Sequence, residues 1–502
     1  MKPAFLRLRL NACPDPLAAY RTLAVGQHSL LLESAEPSAG NATQSLIMMD
    51  AALQIVAQDN TVTITALTAN GQLLLPALAE QLGCEVHDDR LCYQAPRPDP
   101  ELDEDSRLQA ASVFTPVREL LALLPQDPDL PFNSLVAGLF GFDLVASLET
   151  LPTVSNDTQV PDMCLYLAET ALYLNHRNQS ATLLALALGG EGSASYFELS
   201  RRLARYQQAL SNVMPLPALS TDDTTEIQVQ PDDRTFQQQV ATLKEHILAG
   251  DCFQVVPSRR FSAPCPAPLI SYQALRGQNP SPYMFYLNAS TFILFGASPE
   301  SALTVDSGSR ALALYPIAGT RPRGQDADED GRFELEMRLD DKEQAEHLML
   351  VDLARNDVAR VAEPASRTVT DLLKVDRYER VMHLVSRVQG FLRRDLDALH
   401  AYQSALNMGT LTGAPKIMAA RLIRQTEGYR RGAYGGAIGY LTARGDMDSA
   451  IVIRSAVVEN GIATVQAGAG VVFDSEPQSE ADETRHKAAS VLRALRAREI
   501  TP

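Results

Sequence analysis

Residues 449–458 and 462–470 are two strand-like runs joined by Glu459-Asn460-Gly461. A turn this short, with an Asn-Gly pair, sends the chain back on itself, so the two runs must pair antiparallel. Nothing else along the chain limits the fold as tightly. Further runs of strand character fall at 61–67, 163–173, 181–188, 254–256 and 291–295. They do not alternate regularly with helical stretches, which argues against a doubly wound parallel sheet. Helices are expected at 343–361 and 480–498. A capping-box pattern at Thr235-Phe-Gln-Gln238 opens another, in which Phe236, Val240, Leu243 and Ile247 recur at helical spacing and Gly250 closes the helix. The expected class is α+β, with large antiparallel β-sheets flanked by helices.

A chain of 502 residues allows about two to four domains. Acidic, proline-bearing stretches at 96–105 and 125–131 read as loops. The segment 213–233, rich in Pro, Ser, Thr and Asp, is the expected linker between an N-terminal domain, 1–212, and a C-terminal domain, 234–502. A net charge of −17 opposes binding to nucleic acid or an anionic membrane surface. An anionic substrate would need local arginines, backbone amides or a metal ion. Cys13, Cys84, Cys92, Cys164, Cys252 and Cys265 are scattered, with no CxxC pattern, so neither a zinc site nor a disulfide framework is expected. Arg7 and Arg9 interrupt the first apolar run, and the longest apolar stretch, 181–188, is too short to span a bilayer. The expected location is cytoplasmic.

Several residues stand out against their surroundings. Glu346 shares a helical stripe with Leu350, Leu353 and Asp357, and a carboxylate there is either an edge residue paired to a lysine or a metal ligand in a cleft. Glu483 opens the last helix, where the helix dipole alone would favour an acid. Two distant helical glutamates also suit a hard cation such as Mg²⁺. Arg454 is read as mid-strand among apolar neighbours, wanting a carboxylate from the protein or from a ligand. Gly468 and Gly470 allow either close strand packing or close approach of backbone to a ligand. His383 is read in a helical stretch after 378–382, where a lone histidine is usually structural; Thr410 lies in a polar turn before a helix at Lys416. Unaided, these residues reach a cytosolic enzyme that binds a small carboxylate, leave Mg²⁺ dependence open and do not name its reaction.

Long motifs, in order, go further: GDCFQVVPSRRF at 250–261, GASPES at 296–301, PIAGTRPRG at 316–324, EHLMLVDLARND at 346–357, KVDRYERVMHLVS at 374–386, MGTLTGAPK at 408–416, YGGAIGY at 434–440, AIVIRSA at 450–456, QAGAGVV at 466–472 and ADETRHK at 481–487. The chain resembles the chorismate-utilising enzymes, most closely the large subunits of anthranilate synthase. The resemblance implies that Glu346 and Glu483 hold Mg²⁺ against the ring carboxylate of chorismate. It implies substrate binding by Gly319, Thr320, Tyr434, Arg454, Gly468, Ala469 and Gly470. Glu300 matches the general acid for the departing C4 hydroxyl, His383 a histidine of the pyruvate-releasing step, and Thr410 a pocket residue.

Sub-families differ at two positions. Aminodeoxychorismate synthases, the alternative reading, often carry a nucleophilic lysine where this chain has Ala318. Isochorismate and salicylate synthases carry a water-activating lysine where it has Gln254. With neither lysine, ammonia is the implied nucleophile. No cysteine here has the Gly-x-Cys-x-Gly setting of a glutamine amidotransferase. A separate glutaminase subunit is therefore implied, in a heterotetramer of two of each. LLES at 31–34, Ser45 and NPSPYM at 279–284 match the family's tryptophan-feedback motifs. They imply an L-tryptophan site of Glu33, Ser34, Pro282, Tyr283, Met284 and Tyr440, with the Ser34 hydroxyl beside the acidic Glu33. Gln44 departs from the lysine that bacterial relatives tend to carry. A non-catalytic tryptophan sensor on the same scaffold is argued against by Glu300, Glu346, His383, Arg454 and Glu483 standing together.

Overall fold

The structure is a computed structural model describing residues 3–23, 26–35, 42–99, 101–127, 129–130, 132, 134–222, 224–377 and 381–500. Of the stretches read from sequence, Met1, Lys2, Pro100, Pro128, Pro131, Asp223 and 378–380 lie outside the described residues.

Most strands join one connected antiparallel sheet that closes on itself. The long strand Ala42–Gln58 is its spine, paired with Ser29–Ala35 on one side and Met163–Asn175 on the other. Two ladders tie sequence-distant halves together. Ser29–Ala35 pairs with Tyr283–Asn288, placing Leu31 opposite Tyr286, and Leu135–Phe140 pairs with Ala437–Thr442. Alternation along the strands sends Leu31, Ile47, Leu172 and Phe295 into one core and Ile55, Leu165 and Phe140 into a second, which Val351 enters from the helix Asp341–Val361. Helices cover the faces, as the α+β reading expects. The paired runs after residue 447 form the expected hairpin, Ser455–Glu459 against Ile462–Gly468.

Three local readings are corrected. The strand expected at 449–458 breaks into Met447–Ile451 and Ser455–Glu459, and Arg454 lies in the break with φ at 49°. The Ile453 amide turns back to the Ile451 carbonyl, and that kink takes Arg454 out of the ladder. His383 lies on the strand Val381–Phe391, opposite Thr320 on one side and Asp376 on the other. Val381, Val385 and Val388 are β-branched, and pairing on both edges outweighs the helical pattern. The helix Asp233–Ala249 starts before Thr235: Asp232 is its cap, accepting from the Thr235 amide at 2.8 Å, and Gly250 ends it at φ 86°. The segment 213–233 carries two short strands. Leu219–Thr221 pairs with Ala497–Glu499, and Gln228–Gln230 with the strand Ser258–Pro264.

Candidate active site

A cavity of about 750 Å³ opens between the sheet edge and the helices Asp341–Val361 and Pro477–Leu495. Gln254, Glu300, Gly319, Thr320, Glu346, His383, Thr410, Tyr434, Arg454, Gly468, Gly470 and Glu483 all line it. Ala469 does not; it is fully buried, and its amide bonds to the Pro257 carbonyl. It follows the end of the strand Ile462–Gly468, between the two glycines that line the cavity.

Glu300 follows Pro299 in the tight turn between the strands Ile293–Ser298 and Ser301–Val305. Its carboxyl is buried and accepts a hydrogen bond from the Thr410 hydroxyl at 2.9 Å. Burial pushes its pKa up to about 7, against the pull of Thr410, Lys487 and Arg454. A carboxyl in that range is protonated often enough near neutrality to act as an acid.

His383 is buried, and burial lowers its pKa to about 4, so the ring is neutral. Its Nδ1 lies 3.0 Å from the Gly319 carbonyl and 3.0 Å from the Thr320 hydroxyl. A carbonyl only accepts, so Nδ1 carries the proton and the basic lone pair is on Nε2. Gly319 holds that carbonyl in place at φ 71°, on a bulge between Ala318 and Thr320.

Arg454 is half-buried on the cavity wall, and burial depresses its pKa. Among the described residues its guanidinium makes no hydrogen bond and no ion pair, so the internal pairing left open by the sequence is absent. A desolvated guanidinium of this kind suits an anionic ligand. Gln254 is buried, and its Oε1 has no partner among the described residues. Its Nε2 lies where a Cβ on Gly470 would come within 2.6 Å. The Gln254 amide thus faces the cavity only because residue 470 has no side chain.

Carboxylates gather at the helical wall. Burial, with Glu343 and Glu483 nearby, raises Glu346; Lys342 opposes the rise from 3.9 Å. Burial pushes Glu480 up to about 7, and its Oε2 is without a partner among the described residues. Burial also disfavours charge on Glu483, but Lys487 at 2.6 Å outweighs it and keeps Glu483 ionised. Among the described residues no group of three or more His, Cys, Asp and Glu side chains is drawn to metal-binding distance. Glu346 and Glu483 both line the cavity, and two carboxylates are the oxygen donors that a hard divalent cation takes from a protein. Lys342, Glu480 and Lys487 were not singled out from sequence. Lys487 was legible at i+4 from Glu483 on a helix, and Glu480 at i−3.

A second, narrow pocket lies across the sheet and is lined by Glu33, Ser34, Tyr283, Met284, Tyr440 and neighbouring residues, among them Phe132 and Asp448. Pro282 does not line it. The Glu33 side chain departs from its expected place beside the ligand. It is buried on the far face, where Tyr272 donates to it at 2.6 Å and Arg276 pairs with it at 2.9 Å. Consecutive strand residues face opposite ways, so Ser34 and Glu33 cannot both point into one pocket.

Comparison with known proteins bears on what such a pair of sites belongs to. The family described as chorismate binding enzyme matches residues 85–493. The anthranilate synthase component 1 of Vibrio cholerae is 50% identical over 501 residues, covering 98% of this chain and 96% of that protein. That of Escherichia coli K12 is 52% identical over 478 residues, covering 93% and 92%.

The chain belongs to the anthranilate synthase component 1 family of chorismate-binding enzymes.

Membership makes it an enzyme of the lyase class. A solved structure of anthranilate synthase component I from Streptococcus pneumoniae superposes with a TM-score of 0.73 at 32% identity, covering 97% of this chain and 99% of that one. The menaquinone-specific isochorismate synthase of Escherichia coli shares the fold at a TM-score of 0.67 and 20% identity, covering 98% and 94%. No helix among the described residues is long and apolar enough to cross a membrane.

Proposed function

We propose that this chain is the synthase subunit of an anthranilate synthase, converting chorismate and ammonia to anthranilate, pyruvate and water in the first committed step of tryptophan biosynthesis. The observation that carries the reading is the convergence of Glu300, His383 and Arg454 on one cavity whose walls offer Gln254 and Ala318. The amide of Gln254 cannot deprotonate water, and Ala318 has no amine for covalent capture.

Arg454 binds one carboxylate of chorismate. Glu346 and Glu483 would hold Mg²⁺, which when bound neutralises the other carboxylate. Ammonia, accepted by the Gln254 Oε1, adds at C2 while Glu300 protonates the C4 hydroxyl, which leaves as water. The C2 proton then passes to the Nε2 lone pair of His383, and cleavage of the C3–O bond, with a proton added to the departing enol, releases pyruvate and leaves the aromatic ring. Thr410 orients the acid.

Ammonia comes from glutamine through a separate amidotransferase subunit, two of each in a heterotetramer, in the cytoplasm. Residues 1–212 form a regulatory domain joined through 213–233 to the catalytic domain 234–502. The second pocket takes L-tryptophan as feedback inhibitor, with Ser34 contributing its hydroxyl.

The test is incubation of the purified chain with chorismate, Mg²⁺ and an ammonium salt at alkaline pH. Fluorescent anthranilate with equimolar pyruvate is expected. An amino product that keeps its enolpyruvyl group, the aminodeoxychorismate outcome, would overturn the reading, as would a hydroxylated product.

A further inference from the structure

The second pocket has a charge pattern of its own. On the paired strands Ala437–Thr442 and Met447–Ile451, Tyr440 lies opposite Asp448 and Ile438 opposite Ala450, so all four side chains share the face that lines the pocket. Phe132 meets the Tyr440 ring edge-on at 5.1 Å and lies 5.0 Å from the ring of Tyr173. Within this aromatic wall the Asp448 carboxylate accepts one side-chain hydrogen bond, from the Tyr283 hydroxyl at 3.2 Å. Among the described residues no ion pair reaches it, and no Lys, Arg or His lines the pocket. Asp448 also borders an adjoining cavity that holds Arg387, Arg444 and Asp446, yet among the described residues neither arginine pairs with it: Arg444 pairs with Asp446 at 3.2 Å and Arg387 lies over the Tyr315 ring. Arg276 is closed on Glu33 and Asp15, and His176 meets Ser45 from behind at 2.9 Å. Burial pushes Asp448 up to about 6, which marks a desolvated acid lacking a counter-ion. The polar groups at the other side, Ser34 and Gln44, are neutral, while Ser45 pairs opposite Glu33 and turns its hydroxyl to His176.

An aromatic cleft with one unpaired carboxylate and no cation discriminates by the positive end of its ligand. We propose that Asp448 receives the ammonium of the pocket's ligand, and that the pocket therefore takes aromatic amines with or without a carboxylate. This rests on the reading of the pocket as a regulatory site for an aromatic amino acid. It adds that the amine is the required group and that the carboxylate, met only by neutral donors, is secondary.

Calorimetric titration of the purified full chain with L-tryptophan, tryptamine and indole-3-propionate tests it. L-tryptophan and tryptamine should bind within about tenfold of each other, and indole-3-propionate at least about tenfold more weakly than tryptamine. Asp448→Asn should weaken both amines at least about tenfold while ammonia-dependent turnover and the melting curve stay those of the parent. Gln44→Lys, which adds a cation for the carboxylate, should shift preference towards L-tryptophan over tryptamine; it keeps the test alive should Asp448→Asn fold poorly. Equal binding of both amines by parent and Asp448→Asn would overturn the assignment, as would indole-3-propionate matching tryptamine. If tryptamine binds through Asp448 and L-tryptophan does not bind at all, the feedback reading fails and the charge assignment stands. If no amine binds the parent, both fail.

Discussion

The Thr410 hydroxyl donates to the Glu300 carboxylate at 2.9 Å, joining residues 110 positions apart in sequence. This bond favours the ionised form of an acid whose burial already holds it near 7. Threonine therefore sets how much of the acid is protonated at working pH.

Removing that hydroxyl moves the acid in a definite direction. Thr410→Val deletes a bond to the charged form, so the Glu300 pKa rises and the protonated acid persists to higher pH. The alkaline limb of kcat, measured at saturating free ammonia at each pH, should shift up by about one pH unit. Thr410→Ser should restore the parent profile. An unmoved limb would mean that Glu300 is not the titrating acid.

Metal dependence follows from the carboxylate pair. Glu346→Gln and Glu483→Gln should each lower kcat by about 10³-fold or more with an unchanged melting curve, and each should weaken Mn²⁺ binding followed by electron spin resonance. Full activity of either variant in EDTA would remove the assignment.

The proposed choice of nucleophile can be tested at Gln254. Gln254→Lys places an amine in a buried wall, where desolvation lowers its pKa and makes it a base for water. The variant should release some isochorismate-type product, read by mass spectrometry. The parent should give none, and its own mass should not increase during turnover.

Gly468 and Gly470 should differ. A Cβ at Gly470 would meet the movable Gln254 Nε2 at 2.6 Å, whereas a Cβ at Gly468 would meet the Pro257 backbone carbonyl at 2.7 Å. Gly470→Ala should therefore raise KM for ammonia about tenfold by displacing the amide, with little loss of stability. Gly468→Ala should lower the melting temperature, since backbone cannot step aside.

Arg431 and Glu427 form a buried pair at 2.6 Å, and Arg431 also donates to the carbonyls of Leu411 and Val256. It fastens the turn carrying Thr410 to the strand carrying Gln254. Arg431→Met leaves a buried carboxylate unpaired and should cost about 3–5 kcal/mol, read by calorimetric melting. The double variant with Glu427→Met should lose less than the two single variants together.

Much of this was legible in the chain. The antiparallel class came from the Asn460-Gly461 hairpin, because a short loop leaves no other pairing. Glu346 stood out because an acid on an apolar helical stripe needs a reason, and Glu483 as an acid opening the last helix that could share a hard cation with it. Through the family resemblance, the lysines missing at Gln254 and Ala318 imply ammonia as the nucleophile. Local pattern was weaker at the cavity rim. His383 sits among residues compatible with helix or strand, and only pairing with Thr320 and Asp376 on either side made it a strand residue. Arg454 read as a ladder residue until the kink at 453 took it out.

What the sequence determined by itself is which chemical groups are present and which are missing: two helical glutamates, one acid after Ser-Pro, no lysine at 254 or 318, no glutaminase cysteine. What only the tertiary structure decided is where those groups point and what charge they carry. Glu33 and Asp448 are both acids beside one pocket, yet Arg276 and Tyr272 occupy the first, and among the described residues no cation pairs with the second. Glu300 and Glu483 are both cavity acids, yet one is held near 7 and the other stays ionised beside Lys487. Charge state depends on desolvation and on partners within a few ångströms, and those distances are set by strands and helices that meet from far apart along the chain.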